Sequence, residues 1–386
     1  MSDLLFWLAT LTLFAGATLL GRRLGLIPIV SQLLAAVLCL PPLALWLVEP
    51  LWGVPAAQLT HAPALELAYG VAFALLLGYI LSDVVDLRLS AQSLRIAVPS
   101  FAVPLACGLA CAAWLLPPQP WLGMLAVGLL FAITAIPVLY LFLQGIDYPA
   151  ADVRRLLHAA ILMDLFCWSL FGLAQGSVHP AGLFWPLLAA LLPLPLRALR
   201  LRAPLAYSLP FFLLMPTLHL LGLNALVFGI AYLLVLAMLR QPFRLPLPPR
   251  PWALLQNGVC IPLILAVGVL RVDFRAAFAE PAWALLALLL LAPPASKLLG
   301  NWLGLHWANP RMPASVKWRE SLLLNIRGLT EIVFLNLLFQ QGLITAQLYV
   351  GLLLMSLLST LLPALLGLRA PSASLPVQTR HSHEPS

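Results

Sequence analysis

Long apolar stretches, separated by short charged or proline-rich segments, are the dominant pattern along this chain of 386 residues. A helix needs about 20 mostly apolar residues to cross a bilayer, and stretches of this length recur along the chain. The pattern predicts thirteen membrane-spanning helices, although the eighth and ninth could instead be one long helix and a re-entrant piece. The predicted bounds are 3–21, 26–47, 65–82, 95–116, 121–143, 154–175, 181–199, 203–220, 222–240, 251–270, 281–304, 318–340 and 344–368.

The positions of the basic residues indicate how these helices are oriented. If the N-terminus is outside and the helices alternate, 17 of the 21 Lys and Arg residues lie on the cytoplasmic side. Arg271 and Arg275 lie on the outer side, and Lys297 and Arg327 fall within predicted helices. Cytoplasmic loops are enriched in Lys and Arg, and one missed helix would mix the two sets. We therefore predict an outer N-terminus and a cytoplasmic C-terminus.

The composition agrees with a membrane protein and excludes several other classes. Hydrophobic residues make up 62% of the chain and charged residues 9%, whereas a typical globular chain has about 25% charged residues. This excludes a nucleic-acid-binding basic domain and a secreted disulfide scaffold. The five cysteines show no CxxC spacing, so we expect neither a metal nor another cofactor. The mainly polar segment 371–386 is predicted to be a disordered cytoplasmic tail.

Two of the predicted helices are interrupted by residues that disfavour a helix. Thr134–Pro137 interrupts the fifth, because proline has no amide hydrogen, and Asn325–Gly328 interrupts the twelfth. Paired interruptions at matching positions of two halves are typical of inverted-repeat transporters, whose broken helices expose backbone groups to an ion. The alternative is that proline and glycine are simply common in membrane helices. The predicted organisation is one transmembrane domain over 1–370, with a first repeat at 1–180, a linker helix at 181–200 and a second repeat at 201–370.

Four ionisable side chains within the predicted helices are candidate functional groups, because charge inside a membrane is costly. Asp164 lies ten residues after Arg154, about 15 Å along the helix and hence near the membrane centre. A buried carboxylate that holds either a proton or a cation provides the minimal chemistry of antiport; the alternative is a structural acid. Lys297 either competes with the cation for a carboxylate or neutralises carbonyls at a helix end. Arg327 and Glu331 share a helix face and are better suited to brace the broken helix than to bind an ion.

The sequence around these residues resembles the monovalent cation:proton antiporter-2 family, which includes the membrane part of Kef-type and related sodium/proton exchangers. Ile133–Leu139, followed by Met163 and Asp164, is similar to the family's Ile-Thr-Ala-Phe-Pro-Val-Leu and its later Asp-Asp pair. Trp318–Glu320 and Asn325–Glu331 are similar to its Trp-Arg-Glu and Asn-Thr-Arg-Gly-Leu-Thr-Glu. The resemblance extends from about residue 10 to residue 368.

The resemblance implies an all-α integral membrane protein of about thirteen helices with the inverted-repeat sodium/proton antiporter fold, in which the fifth and twelfth helices are discontinuous and cross. It also implies that a core domain, helices 4–6 and 11–13, moves like an elevator against a dimerising scaffold, helices 1–3 and 8–10. Asp164 matches the second aspartate of the family pair, which usually binds the ion and exchanges the proton. Lys297 matches a core lysine of electrogenic relatives.

One position departs from the family pattern. Met163 stands where the first aspartate is expected, and a thioether cannot supply an oxygen ligand to an alkali cation. One-for-one exchange through Asp164 alone, an altered ion and a loss of transport are all compatible with this change.

We therefore expect a secondary transporter that exchanges protons for Na⁺ or K⁺ in a bacterial inner membrane, as a homodimer, with Asp164 and Thr134 binding the ion. One alternative is a degenerate, non-transporting partner or sensor. Another is a coupled transporter of an organic anion, which helix N-termini at the breaks could hold. An enzyme is not expected, since no arrangement of nucleophile and base is recognisable.

Overall fold

The computed structural model describes residues 2–53, 55–82, 90–114, 120–146, 148–178, 181–201, 203–241, 243–272, 274 and 283–366. Within these ranges the chain is predominantly helical and contains no strand. The predicted tail at 371–386 lies outside the described residues. The α-helices are α1 (Ser2–Arg23), α2 (Pro28–Leu34), α3 (Leu40–Leu43), α4 (Glu49–Trp52), α5 (Pro63–Ser82), α6 (Ala91–Trp114), α7 (Trp121–Ala132), α8 (Ile136–Gly145), α9 (Ala150–Val178), α10 (Ala181–Ala190), α11 (Pro193–Ala198), α12 (Leu205–Leu220), α13 (Ala225–Leu239), α14 (Pro249–Leu255), α15 (Ile261–Leu270), α16 (Trp283–Ala308), α17 (Ala314–Leu324), α18 (Leu329–Gln340) and α19 (Ala346–Leu365).

These helices lie within or close to the predicted apolar stretches. By length and composition, six helical runs of the described chain can cross a membrane. Shorter apolar helices make up most of the remaining predicted spans, so the number of crossings stays a prediction. One open alternative is resolved: residues 203–240 contain two helices, α12 and α13, with a turn at Gly222 between them.

The exterior of the helix bundle is apolar, whereas several polar side chains are buried. Trp46 and Met238 are 81% and 82% exposed. In contrast, Asp164, Lys297 and Arg327 are at most 3% exposed. This distribution is the reverse of that in a soluble protein, and it suits a chain surrounded by lipid tails.

α6 is at the centre of the packing that supports the buried charges, because it contacts α7, α9 and α16. The contact with α16 is close at two glycines. A Cβ atom at Gly300 would lie 2.6 Å from the carbonyl oxygen of Pro99, and one at Gly304 would lie 2.4 Å from that of Ile96. Small residues four positions apart allow such backbone contact between membrane helices. This packing fixes the position of Lys297, which lies one turn before Gly300.

The two predicted interruptions are present as breaks between helices. The first break is Ile133–Ala135, between α7 and α8, and the second is Asn325–Gly328, between α17 and α18. The amide of Ala135 donates a hydrogen bond to the carbonyl of Ile326 at 3.2 Å, so the two breaks are in direct contact. Pro137 belongs to the first turn of α8 rather than to the break, because an amide hydrogen is not needed at the start of a helix.

Candidate ion-binding site

Asp164 lies against the first break, in the middle of α9. Its side chain is buried, with 3% exposed. The carboxylate oxygen Oδ1 accepts a hydrogen bond from the amide of Thr134 at 3.2 Å. Thr134 lies in the extended segment between two helices, so its amide can point at the carboxylate. The structure therefore brings together the two residues that the sequence predicts to bind the ion.

Met163 faces two hydrogen-bond donors of the site. Its Sδ atom lies 3.5 Å from Nζ of Lys297 and 4.0 Å from Oγ1 of Thr134. A thioether is an uncharged and weak acceptor. Where the family pattern has a carboxylate, this chain therefore places a neutral sulfur beside an ammonium group.

The C-terminal end of α7 is covered by two basic side chains. Nη1 and Nη2 of Arg327 donate hydrogen bonds to the carbonyls of Leu130 and Phe131, at 2.6 and 2.7 Å. Nζ of Lys297 donates to the carbonyl of Ala132. The last carbonyls of a helix lack partners within the helix and carry partial negative charge. Donors from outside the helix are needed when this end is buried, and these two residues supply them.

The sequence leaves two roles open for Lys297. The hydrogen bond from its Nζ atom to the carbonyl of Ala132 agrees with one of them, the neutralisation of helix-end carbonyls. Nζ of Lys297 also lies 3.5 Å from Sδ of Met163, which is the neighbour of Asp164 in the chain. Competition with a cation for that carboxylate therefore stays an open alternative.

Arg327 also connects the second break to α18 and α19. Its Nη1 atom lies 2.8 Å from Oε1 of Glu331, and both side chains are fully buried. Its backbone carbonyl accepts a hydrogen bond from Oγ1 of Thr360 at 2.5 Å. Glu331 lies in the first turn of α18, where a negative charge is favoured by the helix dipole. The guanidinium group thus joins the C-terminal end of α7 to the first turn of α18.

The remaining predicted break residues have distinct places. Asn325 follows the last residue of α17, and its backbone N–H group donates a hydrogen bond to the carbonyl of Ser321 at 3.1 Å. Gly328 has φ 158° and ψ −126°, a backbone conformation that is essentially restricted to glycine. The residue types that interrupt the helical pattern therefore occupy the positions where the second helix ends and restarts.

Sequence reasoning missed the contacts between these charges and α7. The spacing of Arg327 and Glu331 indicates only that they share a helix face. It does not show that the guanidinium reaches Leu130 and Phe131, which are almost 200 residues away. A signal was present, however: a buried half-helix that ends at Ala132 requires donors, and few buried side chains can donate several hydrogen bonds.

The sequence and the structure were each compared with those of known proteins. No protein-family model matches the chain. Cation/H(+) antiporter 19 of Arabidopsis thaliana is 26% identical over an alignment of 265 positions, which covers 61% of this chain and 32% of that protein. The chain thus spans about a third of the length of this curated relative. The solved structure of the sodium proton antiporter MjNhaP1 from Methanocaldococcus jannaschii is 15% identical, with a TM-score of 0.55 and coverage of 96% of both chains.

This chain has the sodium/proton antiporter fold. The predicted fold class is confirmed by the structural match, which covers almost the whole of both chains. Both of these similar proteins are named as antiporters of protons and a cation, which agrees with the family resemblance of the motifs. In this antiporter fold, the contact between the two breaks lies beside Asp164.

Proposed function

We propose that this chain exchanges protons for a monovalent cation, Na⁺ or K⁺, and that Asp164 holds either the proton or the cation. The observation that supports this most strongly is the position of the carboxylate, buried against the break amide of Thr134. An ionised carboxylate attracts a cation, and protonation removes that attraction. The hydroxyl of Thr134 and backbone carbonyls at the breaks are the proposed additional oxygen ligands. The two proteins named above are both antiporters, which agrees with this proposal.

The charges of the site favour an exchange of one cation for one proton. Asp164 and Glu331 are matched by Lys297 and Arg327, so the site has zero net charge when all four groups are ionised. A bound cation or a bound proton adds one positive charge, whereas both together would add two in a buried site. The two ligands are therefore expected to exclude each other. Met163 supports the same stoichiometry, since it cannot ionise and bind a second proton.

For the transport movement, we propose that the part containing the breaks moves as a unit. Asp164 is held by α9, and the groups around it come from the first break, α16 and the second break. These elements, with α6, α8, α18 and α19, correspond to the core domain that the family resemblance implies. We propose that this core moves like an elevator against α1–α5 and α12–α15, in a homodimer in a bacterial inner membrane, with the N-terminus outside.

A second candidate function is that of a non-transporting partner or sensor. The neutral sulfur of Met163, 3.5 Å from the ammonium of Lys297, is the observation that favours it. A family member that has lost one carboxylate of its site can keep the fold without the activity. The two functions make opposite predictions for purified protein.

The test is proton flux in proteoliposomes that contain the purified chain. A pH gradient is imposed, and Na⁺, K⁺ or Li⁺ is added in turn at acidic, neutral and alkaline pH. An antiporter dissipates the gradient only when its cation is present, and this response identifies the ion. Folded protein that responds to none of the three cations would contradict antiport and favour the partner or sensor function.

A further inference from the structure

Two side chains of α18 form hydrogen bonds with helices of the proposed scaffold. Asn336 and Gln340 lie one turn apart on α18, towards the end that is farther from the second break. Nδ2 of Asn336 donates a hydrogen bond to the carbonyl of Ile264 in α15 at 3.0 Å. Nε2 of Gln340 donates one to Oη of Tyr69 in α5 at 2.8 Å. We call these two hydrogen bonds the latch, because each joins the proposed core to the proposed scaffold.

The inner bond of the latch lies in closely packed structure. Asn336 is 1% exposed. Gly268 lies one turn after Ile264 on α15, and a Cβ atom there would lie 2.5 Å from Cγ of Asn336. Oη of Tyr349 in α19 donates a hydrogen bond to Oδ1 of Asn336 at 2.6 Å. Both polar atoms of the asparagine side chain are therefore bound, and the glycine leaves the room that this side chain occupies.

On the scaffold side of the latch, Arg271 holds Tyr69 in place. Cζ of Arg271 lies 5.5 Å from the centre of the Tyr69 ring, which is within the range of a cation–π contact. The guanidinium also donates hydrogen bonds to Oγ1 and to the carbonyl oxygen of Thr60, both at 3.3 Å. Its Nη2 atom lies 3.7 Å from Oε1 of Glu66, in the first turn of α5. Because Arg271 follows the last residue of α15, it joins the two scaffold helices that the latch contacts.

The latch lies towards the surface that is predicted to be outside. α18 begins at the second break and leads away from α17, whose basic residues are predicted to be cytoplasmic. Asn336 and Gln340 lie eight and twelve residues after Gly328, which is about 12 and 18 Å along a helix. Arg271, which contacts Tyr69, is one of the two basic residues predicted to lie outside. The latch therefore occupies the outer half of the boundary between core and scaffold.

We infer that the latch is an outer gate, which must open before Asp164 can be reached from outside and which closes again in each transport cycle. In the proposed elevator movement, α18 slides along α5 and α15. Hydrogen bonds weaken steeply once donor and acceptor move beyond about 3.2 Å, so both bonds of the latch break during this movement. While they are formed, they stabilise the position of the core in which the outer path is shut. This inference rests on the proposed function.

A disulfide bond across the latch tests whether it must open. In the double variant Gly268→Cys/Asn336→Cys, the two Cβ atoms lie within about 4 Å of each other, since the first is 2.5 Å from Cγ of Asn336. This separation suits a disulfide. Oxidation is expected to abolish cation-dependent proton flux in proteoliposomes, and reduction to restore it. The two single-cysteine variants, oxidised in the same way, are the controls, because the chain has five cysteines of its own.

Tyr69→Phe tests the latch without new cysteines and covers the case in which the double variant does not fold. The change removes the hydroxyl that accepts a hydrogen bond from Gln340. Tyr232→Phe is the matched control, because its hydroxyl donates to the carbonyl of Tyr207 at 2.7 Å within the scaffold. Loss of one latch bond raises the population of the outward-open position several-fold, and apparent affinity rises with the populated fraction. In right-side-out membrane vesicles, the half-saturating concentration of external Na⁺ or K⁺ is therefore expected to fall several-fold for Tyr69→Phe alone.

The outcomes separate a failure of the latch from a failure of the proposed function. Undiminished flux through the fully oxidised double variant would overturn the latch and leave antiport standing. An unchanged or higher half-saturating concentration for Tyr69→Phe would do the same, because a merely structural hydrogen bond does not oppose binding from outside. If the wild-type chain shows no cation-dependent flux, the proposed function fails, and the latch fails with it.

Discussion

Arg327→Met is expected to destabilise the protein by about 3–5 kcal/mol, the cost of removing one partner of a buried ion pair. The change leaves the carboxylate of Glu331 buried without its guanidinium partner at 2.8 Å. It also removes the side-chain donors to the carbonyls of Leu130 and Phe131. Thermal unfolding of the purified protein measures the effect. Arg154→Met, a change of an exposed arginine on α9, is the control and is expected to have little effect.

A double variant separates the two contributions of Arg327. Glu331→Leu removes the carboxylate that Arg327→Met leaves unpaired, so the two changes together are expected to cost less than their sum. A residual loss is still expected, because the carbonyls at the end of α7 keep no donor from position 327. If Arg327→Met were as stable as Arg154→Met, the guanidinium would not hold the broken helices together.

Gly328→Ala is expected to have the second-largest effect on stability. The backbone of Gly328, with φ 158° and ψ −126°, is in a region where a residue with a Cβ atom is strained by about 1–3 kcal/mol. The new Cβ atom would also lie 2.9 Å from Cγ2 of Val138. A fall in melting temperature and in cation-dependent proton flux is the expected result. Gly16→Ala is the control, because a Cβ atom there has no neighbour within 4 Å.

Adding Val138→Ala to Gly328→Ala distinguishes strain from crowding. Val138 lies in α8, and truncating it removes the crowding by Cγ2 against the new Cβ atom without changing the backbone of residue 328. We expect the double variant to recover only part of the lost stability. A Gly328→Ala protein as stable as Gly16→Ala would show that the second break does not require the glycine conformation.

The membrane class, the helix positions and both breaks could be predicted from the sequence, because each leaves a local signal. Long apolar runs report the lipid environment directly. Thr134 and Asn325 interrupt these runs with residues that disfavour a helix. The exact start of α8 was harder to predict, because a proline can either end one helix or lie in the first turn of the next. Pro137 lies in the first turn of α8.

Contacts between distant segments could not be predicted in the same way. Ala135 meets Ile326 through a backbone hydrogen bond, and no side-chain pattern encodes such a bond. The hydrogen bond from Nδ2 of Asn301 to the carbonyl of Ser321 was missed for a similar reason, because these two look like isolated polar residues in separate helices. Their proximity depends on how α16 packs against α6 and α17.

The most direct test of the central claim is cation-dependent proton flux through Asp164→Asn in proteoliposomes, with Asp152→Asn as the control. Asp152 lies on the same helix, but its side chain is 37% exposed and pairs with Arg155 near the start of α9. We predict that Asp164→Asn folds but no longer dissipates a pH gradient when the cation is added, because an amide cannot exchange a proton. Asp152→Asn is predicted to keep the exchange. If Asp164→Asn exchanges at the wild-type rate, Asp164 does not carry the proton and this account of the site is wrong.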